Sequence, residues 1–163
     1  MGDRSVTRNC GPDLVRVGAG LPVAAYRDEI TTALHGGRAG IVAPPGTGKT
    51  TFVPPLVASR CSGRVIVTQP RRVAARAAAR RLATLTGTRP GEFASHTVHG
   101  ESTTTRDTKV EFVTTGVLLR RLLSDPDLTG VDAVVLDEVH ERHLDADLVV
   151  AMAVSYTHLT LPT

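Results

Sequence analysis

Short runs of β-branched and other apolar residues alternate along the chain with longer segments rich in Ala, Leu and Arg. The short runs predict buried strands, and the longer segments predict helices that connect them. The predicted strands are residues 40–43, 64–68, 110–114 and 131–136. The predicted helices are residues 26–34, 50–59, 71–85 and 116–123. This alternation is typical of an α/β fold in which helices cover a parallel sheet.

Glycines and prolines set the ends of several predicted helices. Gly36 and Gly37 end the first helix, and Gly87 is suited to cap the helix at 71–85. Pro54 and Pro55 are expected to limit or bend the helix at 50–59. The strand at 131–136 is almost wholly apolar, which predicts that both of its faces are covered.

The composition indicates one globular domain. The 163 residues give a mass of 17.2 kDa, with 41% apolar and 21% charged residues. No apolar run reaches the roughly 18 residues that a membrane helix needs, and the polar, basic start of the chain does not resemble a secretory signal. Cys10 and Cys61 lie too far apart to indicate a disulfide framework or a zinc site. We therefore expect a cytoplasmic protein.

The charge balance is mildly basic, with 19 Lys and Arg against 16 Asp and Glu. Almost all of the basic residues are arginine, whose guanidinium suits contacts with phosphate. The same arginine content, together with abundant Ala, Gly and Val, is equally typical of GC-rich coding. Aromatic residues make up only 3% of the chain, which argues against recognition of bases on stacked aromatic side chains.

Residues 43–50, Ala-Pro-Pro-Gly-Thr-Gly-Lys-Thr, match a phosphate-binding loop with alanine in place of the first glycine. Gly46 and Gly48 would let successive backbone N–H groups face a phosphate without obstruction by side chains. The positive end of the following helix would point at the same anion. Lys49 would then reach the β and γ phosphates, and Thr50 would hold Mg²⁺.

Two adjacent carboxylates follow the last predicted strand, in the sequence Val134-Val135-Leu136-Asp137-Glu138. In a parallel sheet, the carboxyl ends of the strands line the ligand crevice. Asp137 could act on a metal ion there, and Glu138 could orient and deprotonate a water molecule. An acidic pair by itself is equally typical of a solvated turn. Together with the phosphate-binding loop, the pair favours ATP hydrolysis.

The sequence Asp137-Glu138-Val139-His140 resembles the DEAH box of superfamily 2 helicases. Residues 68–75 resemble motif Ia of the same family, and residues 114–120 resemble its motif Ib. The segments 20–23 and 126–131 most resemble bacterial HrpB-type ATP-dependent helicases. The resemblance spans residues 14–152, and its four motifs occur in the family's order. It implies a three-layer α/β fold of the RecA-like P-loop NTPase type, here the first helicase domain and incomplete.

The resemblance also implies residue roles. Lys49, Asp137 and Glu138 would be catalytic, with Glu138 as the base, and His140 would link the nucleotide site to a second motor domain. Thr50 and Asp137 would hold Mg²⁺. The residues implied in ATP binding are Pro45, Gly46, Thr47, Gly48, Lys49, Thr50, Thr51 and Arg81, the last by stacking on adenine. The residues implied in contacts with the nucleic-acid backbone, RNA or another single strand, are Arg71, Arg72, Thr115 and Gly116.

Several other polar residues receive no role. Arg76 and Arg80 are interpreted as part of a solvated helix face. His96 and His99 are expected on the surface or in a strand near Glu101, since no cysteine partners or helical His pair indicates a metal site.

The last ten residues, 154–163, resemble a translated sequencing adapter. We therefore expect an amino-terminal tail at 1–13, a truncated RecA-like ATP-binding domain at 14–153 and a non-native tail at 154–163. The family pattern continues to a second RecA-like domain with arginine fingers, so the isolated fragment is expected to hydrolyse ATP slowly or not at all.

Three functions remain open at this point. The first is an ATP-dependent nucleic-acid helicase motor, with strand separation performed by the full-length protein. The second is a P-loop kinase or another nucleotide-dependent transferase, which would not need motifs Ia and Ib. The third is a truncated P-loop fragment that binds nucleotide or nucleic acid without turnover.

Overall fold

A computed structural model describes residues 11–139, 147–149 and 151. The helices are α1 (Leu14–Gly18), α2 (Arg27–Leu34), α3 (Lys49–Ala58), α4 (Arg72–Thr86) and α5 (Thr115–Ser124), with a 3₁₀ helix at Pro22–Tyr26. The strands are β1 (Arg64–Gln69), β2 (Ala94–Val98), β3 (Glu101–Ser102), β4 (Val110–Thr114) and β5 (Val131–Leu136).

The five strands form one mixed sheet in the order β3-β2-β4-β1-β5. All neighbouring strands are parallel except β2 and β3, which form an antiparallel hairpin. The carboxyl ends of β1, β2, β4 and β5 therefore meet at one edge of the sheet, which we call the carboxyl edge. Thr68 of β1 pairs with Leu136, and Gln69 pairs with Thr114, so the segments that follow these strands begin side by side.

Each face of the sheet packs against helices. Val65, Val67 and Phe112 belong to a buried cluster that includes side chains of α1, α3 and α4. Ile66 and Val113 point to the opposite face, where they pack with Leu118 and Leu122 of α5. The predicted three-layer α/β fold is confirmed. Within the described ranges, no helix has both the length and the apolar character needed to cross a membrane.

The predicted strand at 40–43 is wrong, because this segment has no regular secondary structure. A strand requires a neighbour to satisfy its backbone N–H and C=O groups, and no pairing to this segment occurs within the described part of the chain. Val42 is fully exposed. Pro44 and Pro45 follow at once, and they have no N–H to donate.

The prediction that both faces of the strand at 131–136 are covered is also wrong. The β5 strand forms with the predicted bounds but lies at the end of the sheet among the strands that the structure describes, and residues 131–134 alternate between half-buried and exposed. The side of Val134 is open to solvent, with 36% of the residue exposed. Apolar composition alone could not distinguish this end position from a central one.

The remaining helix predictions agree closely with the structure. The α3 helix continues through Pro54 and Pro55 to Ala58, so these prolines do not shorten it. Gly87 caps α4 in the left-handed conformation, with φ of 69°, as predicted. Three elements, α1, β2 and β3, were not predicted from the sequence.

Candidate nucleotide and nucleic-acid site

The candidate phosphate-binding loop leads directly into the first turn of α3. Gly46 and Gly48 have φ of 78° and 89°, a left-handed conformation that favours glycine. A Cβ atom added to Gly46 would meet nothing within 4 Å, so the loop borders open space there. Since α3 begins at Lys49, the N–H groups of its first turn and its positive dipole end lie beside the loop.

The side chains of the loop are held by its own carbonyl groups. Lys49 Nζ donates to the carbonyl of Ala43, and it lies 3.3 Å from the carbonyl oxygen of Pro44. Thr47 Oγ1 donates to the same Pro44 oxygen at 2.9 Å. The lysine is thus folded back over the loop, where its ammonium group is available to a phosphate.

Asp137 brings the end of β5 to this loop. Its Oδ2 atom accepts hydrogen bonds from the Thr50 hydroxyl and, at 2.7 Å, from Gln69 Nε2. Its Oδ1 atom accepts the backbone N–H of Glu138 at 3.0 Å. The structure therefore joins Thr50 and Asp137, the two residues expected to hold Mg²⁺, although they are 87 positions apart in sequence.

Gln69 is a residue of this site to which sequence reasoning gave no role. The signal available was its position directly after the predicted strand at 64–68 and directly before Pro70 and Arg71. A glutamine at the carboxyl end of a parallel strand lies at the edge where ligands bind.

Glu138 has an unusual backbone conformation, with φ of 54°. Residues other than glycine are uncommon in this left-handed region, and such strain is concentrated at functional sites. The side chain is half-buried next to Asp137. His140, expected to link the site to a second motor domain, lies outside the described residues.

The donor atoms at this site fit Mg²⁺. A hydroxyl oxygen of Thr50 and a carboxylate oxygen of Asp137 are hard ligands of the kind that Mg²⁺ prefers, alongside water and phosphate oxygens. In the part of the chain that the structure describes, no group of three or more His, Cys, Asp or Glu side chains could hold a metal ion. A phosphate-bound metal therefore fits the residues better than a closed protein site.

The residues expected to contact nucleic acid lie along the same carboxyl edge. Arg71 and Arg72 are exposed where β1 passes into α4, and Thr115 and Gly116 begin α5 where β4 ends. The Arg72 guanidinium donates to the carbonyl of His99 at 3.3 Å. Arg120 Nη2 lies 3.3 Å from Nδ1 of the same histidine.

The turn between β2 and β3, which contains His99, thus connects α4 to α5. Two guanidinium groups converge on this turn, one from each helix. The carboxyl edge consequently presents positive charge beside the segments that match motifs Ia and Ib.

Arg76 is not part of a simple solvated face, which corrects the sequence interpretation. Its Nε donates to Glu101 Oε2 at 3.1 Å, and His96 Nε2 lies 2.7 Å from the other carboxylate oxygen. The hydrogen bond from Arg76, followed by that from His96, lowers the pKa of Glu101 to about 2. The predicted proximity of His96 to Glu101 is confirmed, and the histidine is buried in β2. Arg80 is exposed, as expected.

Arg81 is also exposed, on the middle turns of α4. With a rise of about 1.5 Å per residue, it lies about 14 Å along the helix from Arg72. Arg81 is therefore separate from the basic residues at the carboxyl edge, and its side chain is accessible to a ligand.

Comparisons with known proteins identify relatives of this chain. Residues 26–158 match the family model described as DEAD/DEAH box helicase. The chain is 42% identical over 135 residues to "ATP-dependent RNA helicase HrpB" of Escherichia coli, covering 81% of this chain and 17% of that protein. It is 35% identical over 143 residues to "Probable ATP-dependent RNA helicase DHR2" of Saccharomyces cerevisiae, covering 84% of this chain and 20% of that protein.

The crystal structure of the Escherichia coli DEAH/RHA helicase HrpB superposes with a TM-score of 0.77 and 41% sequence identity. The match covers 83% of this chain and 18% of the HrpB chain. The chain thus spans about a fifth of the length of these two relatives. Since the family model covers most of the sequence, the chain belongs to the DEAD/DEAH box helicase family.

Proposed function

We propose that this chain is the ATP-binding part of an ATP-dependent RNA helicase motor, which couples ATP hydrolysis to strand separation in the full-length protein. The observation that supports it most directly is the hydrogen bond from Thr50 to Asp137. This bond joins the first turn of α3 to the carboxylate that follows β5. This pairing is the one that P-loop NTPases use to hold a metal ion on bound phosphates.

In this proposal, Lys49 leaves the carbonyls of Ala43 and Pro44 and binds the β and γ phosphates. The backbone N–H groups of the loop wrap the same phosphates, which is possible because Gly46 and Gly48 have no side chains. The proposed ATP-binding residues are Pro45, Gly46, Thr47, Gly48, Lys49, Thr50, Thr51 and Arg81. Arg81 stacks on the adenine without reading its edge, so other purine nucleotides are also accepted.

Thr50 and Asp137 are the proposed ligands of Mg²⁺. The bound ion would neutralise charge on the phosphate oxygens. Glu138 is the proposed base, and it directly follows the proposed metal ligand Asp137, with a backbone φ of 54°. It would orient and deprotonate the attacking water. His140 is proposed to link this site to a second motor domain.

Arg71, Arg72, Thr115 and Gly116 are the proposed contacts to the RNA backbone. Contacts to phosphate and sugar position a strand without reading its sequence, as a motor that moves along RNA requires. RNA is proposed as the substrate because the relatives from Escherichia coli and Saccharomyces cerevisiae are named RNA helicases.

Residues 14–153 are proposed as the motor-domain segment, with 1–13 and 154–163 outside it, and the cytoplasm as its location. A second function for the chain alone is binding of nucleotide without turnover. This alternative is favoured by the share of the relatives that the chain covers, about a fifth, because an arginine finger from another domain supplies about 10³–10⁵ in rate.

The test compares Lys49→Ala with Lys109→Ala, because these are the two lysines of the chain. Lys109 donates to the carbonyl of Ser62 at the opposite edge of the sheet and serves as the matched control. Equilibrium binding of a fluorescent ATP analogue is measured with Mg²⁺, and hydrolysis is measured with and without single-stranded RNA or DNA.

We expect Lys49→Ala to abolish nucleotide binding and Lys109→Ala to leave it unchanged. Hydrolysis that RNA stimulates supports the motor, and binding without hydrolysis supports the second function for the isolated chain. Equal effects of the two lysine substitutions, or phosphoryl transfer to an acceptor other than water, would contradict the proposal.

A further inference from the structure

Gln69 stands where three functional segments meet. It is the last residue of β1 and only 4% exposed. Its backbone pairs with Thr114, the residue directly before the motif Ib segment. Its side chain reaches in the other direction, to Asp137 beyond the end of β5. A single residue therefore touches both neighbouring strands at the carboxyl edge.

The chemistry of this contact determines how the amide is oriented. An ionised carboxylate can only accept hydrogen bonds, so the NH₂ group of Gln69 must face Asp137. The distance from Nε2 to Oδ2 is 2.7 Å, which is short for a bond of this type. Thr50 donates to the same oxygen and the backbone N–H of Glu138 donates to Oδ1, so Gln69 is one of three donors that fix the rotation of the carboxylate.

The backbone beyond Gln69 leads directly to the basic residues. Pro70 follows and restricts its own backbone to one narrow range of φ. Arg71 and Arg72 come next, and the Arg72 guanidinium is bonded to the turn at His99. If a bound nucleic-acid strand shifts this segment, Gln69 moves with it, and so does the side-chain amide that holds Asp137.

We propose that Gln69 is a positioning residue that couples the metal-binding carboxylate Asp137 to the nucleic-acid segment at Arg71 and Arg72. This inference rests on the proposed function, because it assumes that both sites bind their ligands. In the absence of RNA, Gln69 keeps Asp137 in the rotamer seen here. RNA bound at Arg71 and Arg72 changes the position of the amide, and this changes the affinity for Mg²⁺ with nucleotide.

The decisive variant is Gln69→Met, which keeps the length of the side chain and removes the donor. Ser95→Ala is the matched control, since Ser95 is also buried in the sheet and bonds Thr104 at 3.1 Å, away from the carboxyl edge. Gln69→Asn is a second variant, in which the side chain keeps its amide but is one methylene shorter, so that the amide is drawn back from Asp137. It tests the inference independently if Gln69→Met fails to fold.

Two binding equilibria are measured on the 163-residue chain. The first is the Mg²⁺ concentration needed for half-maximal binding of a non-hydrolysable ATP analogue. The second is the affinity for a single-stranded RNA oligonucleotide, with and without the saturating analogue and Mg²⁺. Loss of partners that orient a metal ligand typically weakens metal binding about 10–100-fold. We expect an increase of about this size in the Mg²⁺ midpoint for Gln69→Met.

We also expect the effect of Mg²⁺ and nucleotide on RNA affinity to disappear in Gln69→Met. If Gln69 has only a structural role, its replacement should lower the unfolding temperature, as is expected for Ser95→Ala, without changing either quantity. Wild-type values for both quantities in a folded Gln69 variant would overturn the inference and leave the proposed function intact. A wild-type chain that binds no nucleotide would overturn both.

Discussion

Glu111 offers a direct test of how a buried charge stabilises this domain. The residue lies in the middle of β4 and is completely buried. Its carboxylate accepts two hydrogen bonds from the Arg121 guanidinium, at 2.8 and 2.6 Å, and others from Thr97 at 2.6 Å and Thr104 at 3.0 Å. Since Arg121 belongs to α5, this pair fixes the helix that begins with the motif Ib segment to the sheet.

The size of the effect follows from the pKa of this carboxyl group. Burial by itself raises the pKa of Glu111, but the bonds from Arg121, Thr97 and Thr104 and the charge of Arg121 outweigh it and lower the pKa from 4.5 to about 2. At 1.36 kcal/mol per unit, the ionised group contributes about 3 kcal/mol to the free energy of unfolding at neutral pH.

Because the pKa of Glu111 is lower in the folded than in the unfolded chain, its contribution to the free energy of unfolding increases with pH. The contribution is fully present above the unfolded value of about 4.5, and it is lost as the pH falls toward 2. Glu111→Gln keeps the shape of the side chain and removes the charge. We expect the variant to be about 3 kcal/mol less stable than the wild type at pH 7, but only about 1 kcal/mol less stable at pH 3.

Urea unfolding followed by circular dichroism at the two pH values measures both differences. Glu101→Gln is the matched control, because the pKa of Glu101 is also lowered to about 2 although the carboxylate is largely solvated. Its effect on stability should be much smaller, since exposed ion pairs are screened by water. A Glu111→Gln difference that is equal at pH 7 and pH 3 would refute the reasoning.

Two further substitutions test the phosphate-binding loop and the proposed stacking of Arg81 on adenine. Gly48→Ala should lower the free energy of unfolding by about 1–2 kcal/mol, because φ is 89° and the new Cβ would lie 2.9 Å from the Leu21 side chain. Gly46→Ala is the control, since its φ is 78° but its Cβ would point into open space. An equal loss of stability in both variants would exclude the contact with Leu21 as the cause. Arg81→Ala should weaken the binding of ATP and GTP analogues to the same extent, by about 0.5–1 kcal/mol. The control, Arg80→Ala, should leave the binding of both analogues unchanged. A loss of affinity confined to the ATP analogue would show base-specific recognition and contradict the prediction.

The sequence predicted the parts of the fold that depend on local signals. The bounds of β4 and β5 are as predicted, because each is a short apolar run between turn residues. Gly87 marks the end of α4, because a left-handed cap favours glycine. The phosphate-binding loop was likewise predictable from its own residues, since the glycines and the following helix are contiguous in sequence.

The features that were missed or mispredicted depend on residues that are far apart in sequence. The β2 strand contains Ser95, His96 and Thr97, and its burial depends on partners such as Glu111 and Thr104. The segment at 40–43 resembles a strand in composition, but a strand also needs a neighbour in space. Gln69 received no role for the same reason, since its partner Asp137 is 68 residues away.

The long separation between Thr50 and Asp137 also has a consequence for the order of folding. The two residues that hold the proposed metal site are 87 positions apart, and β5 is the last of the described strands in sequence. Contacts between such distant segments form slowly, because a long loop must first be closed. A chain that has formed α3 and β1 but has not yet added β5 has a phosphate-binding loop without its carboxylate. Any ligand that needs both is therefore bound only by the completed sheet, and its binding free energy stabilises this state alone.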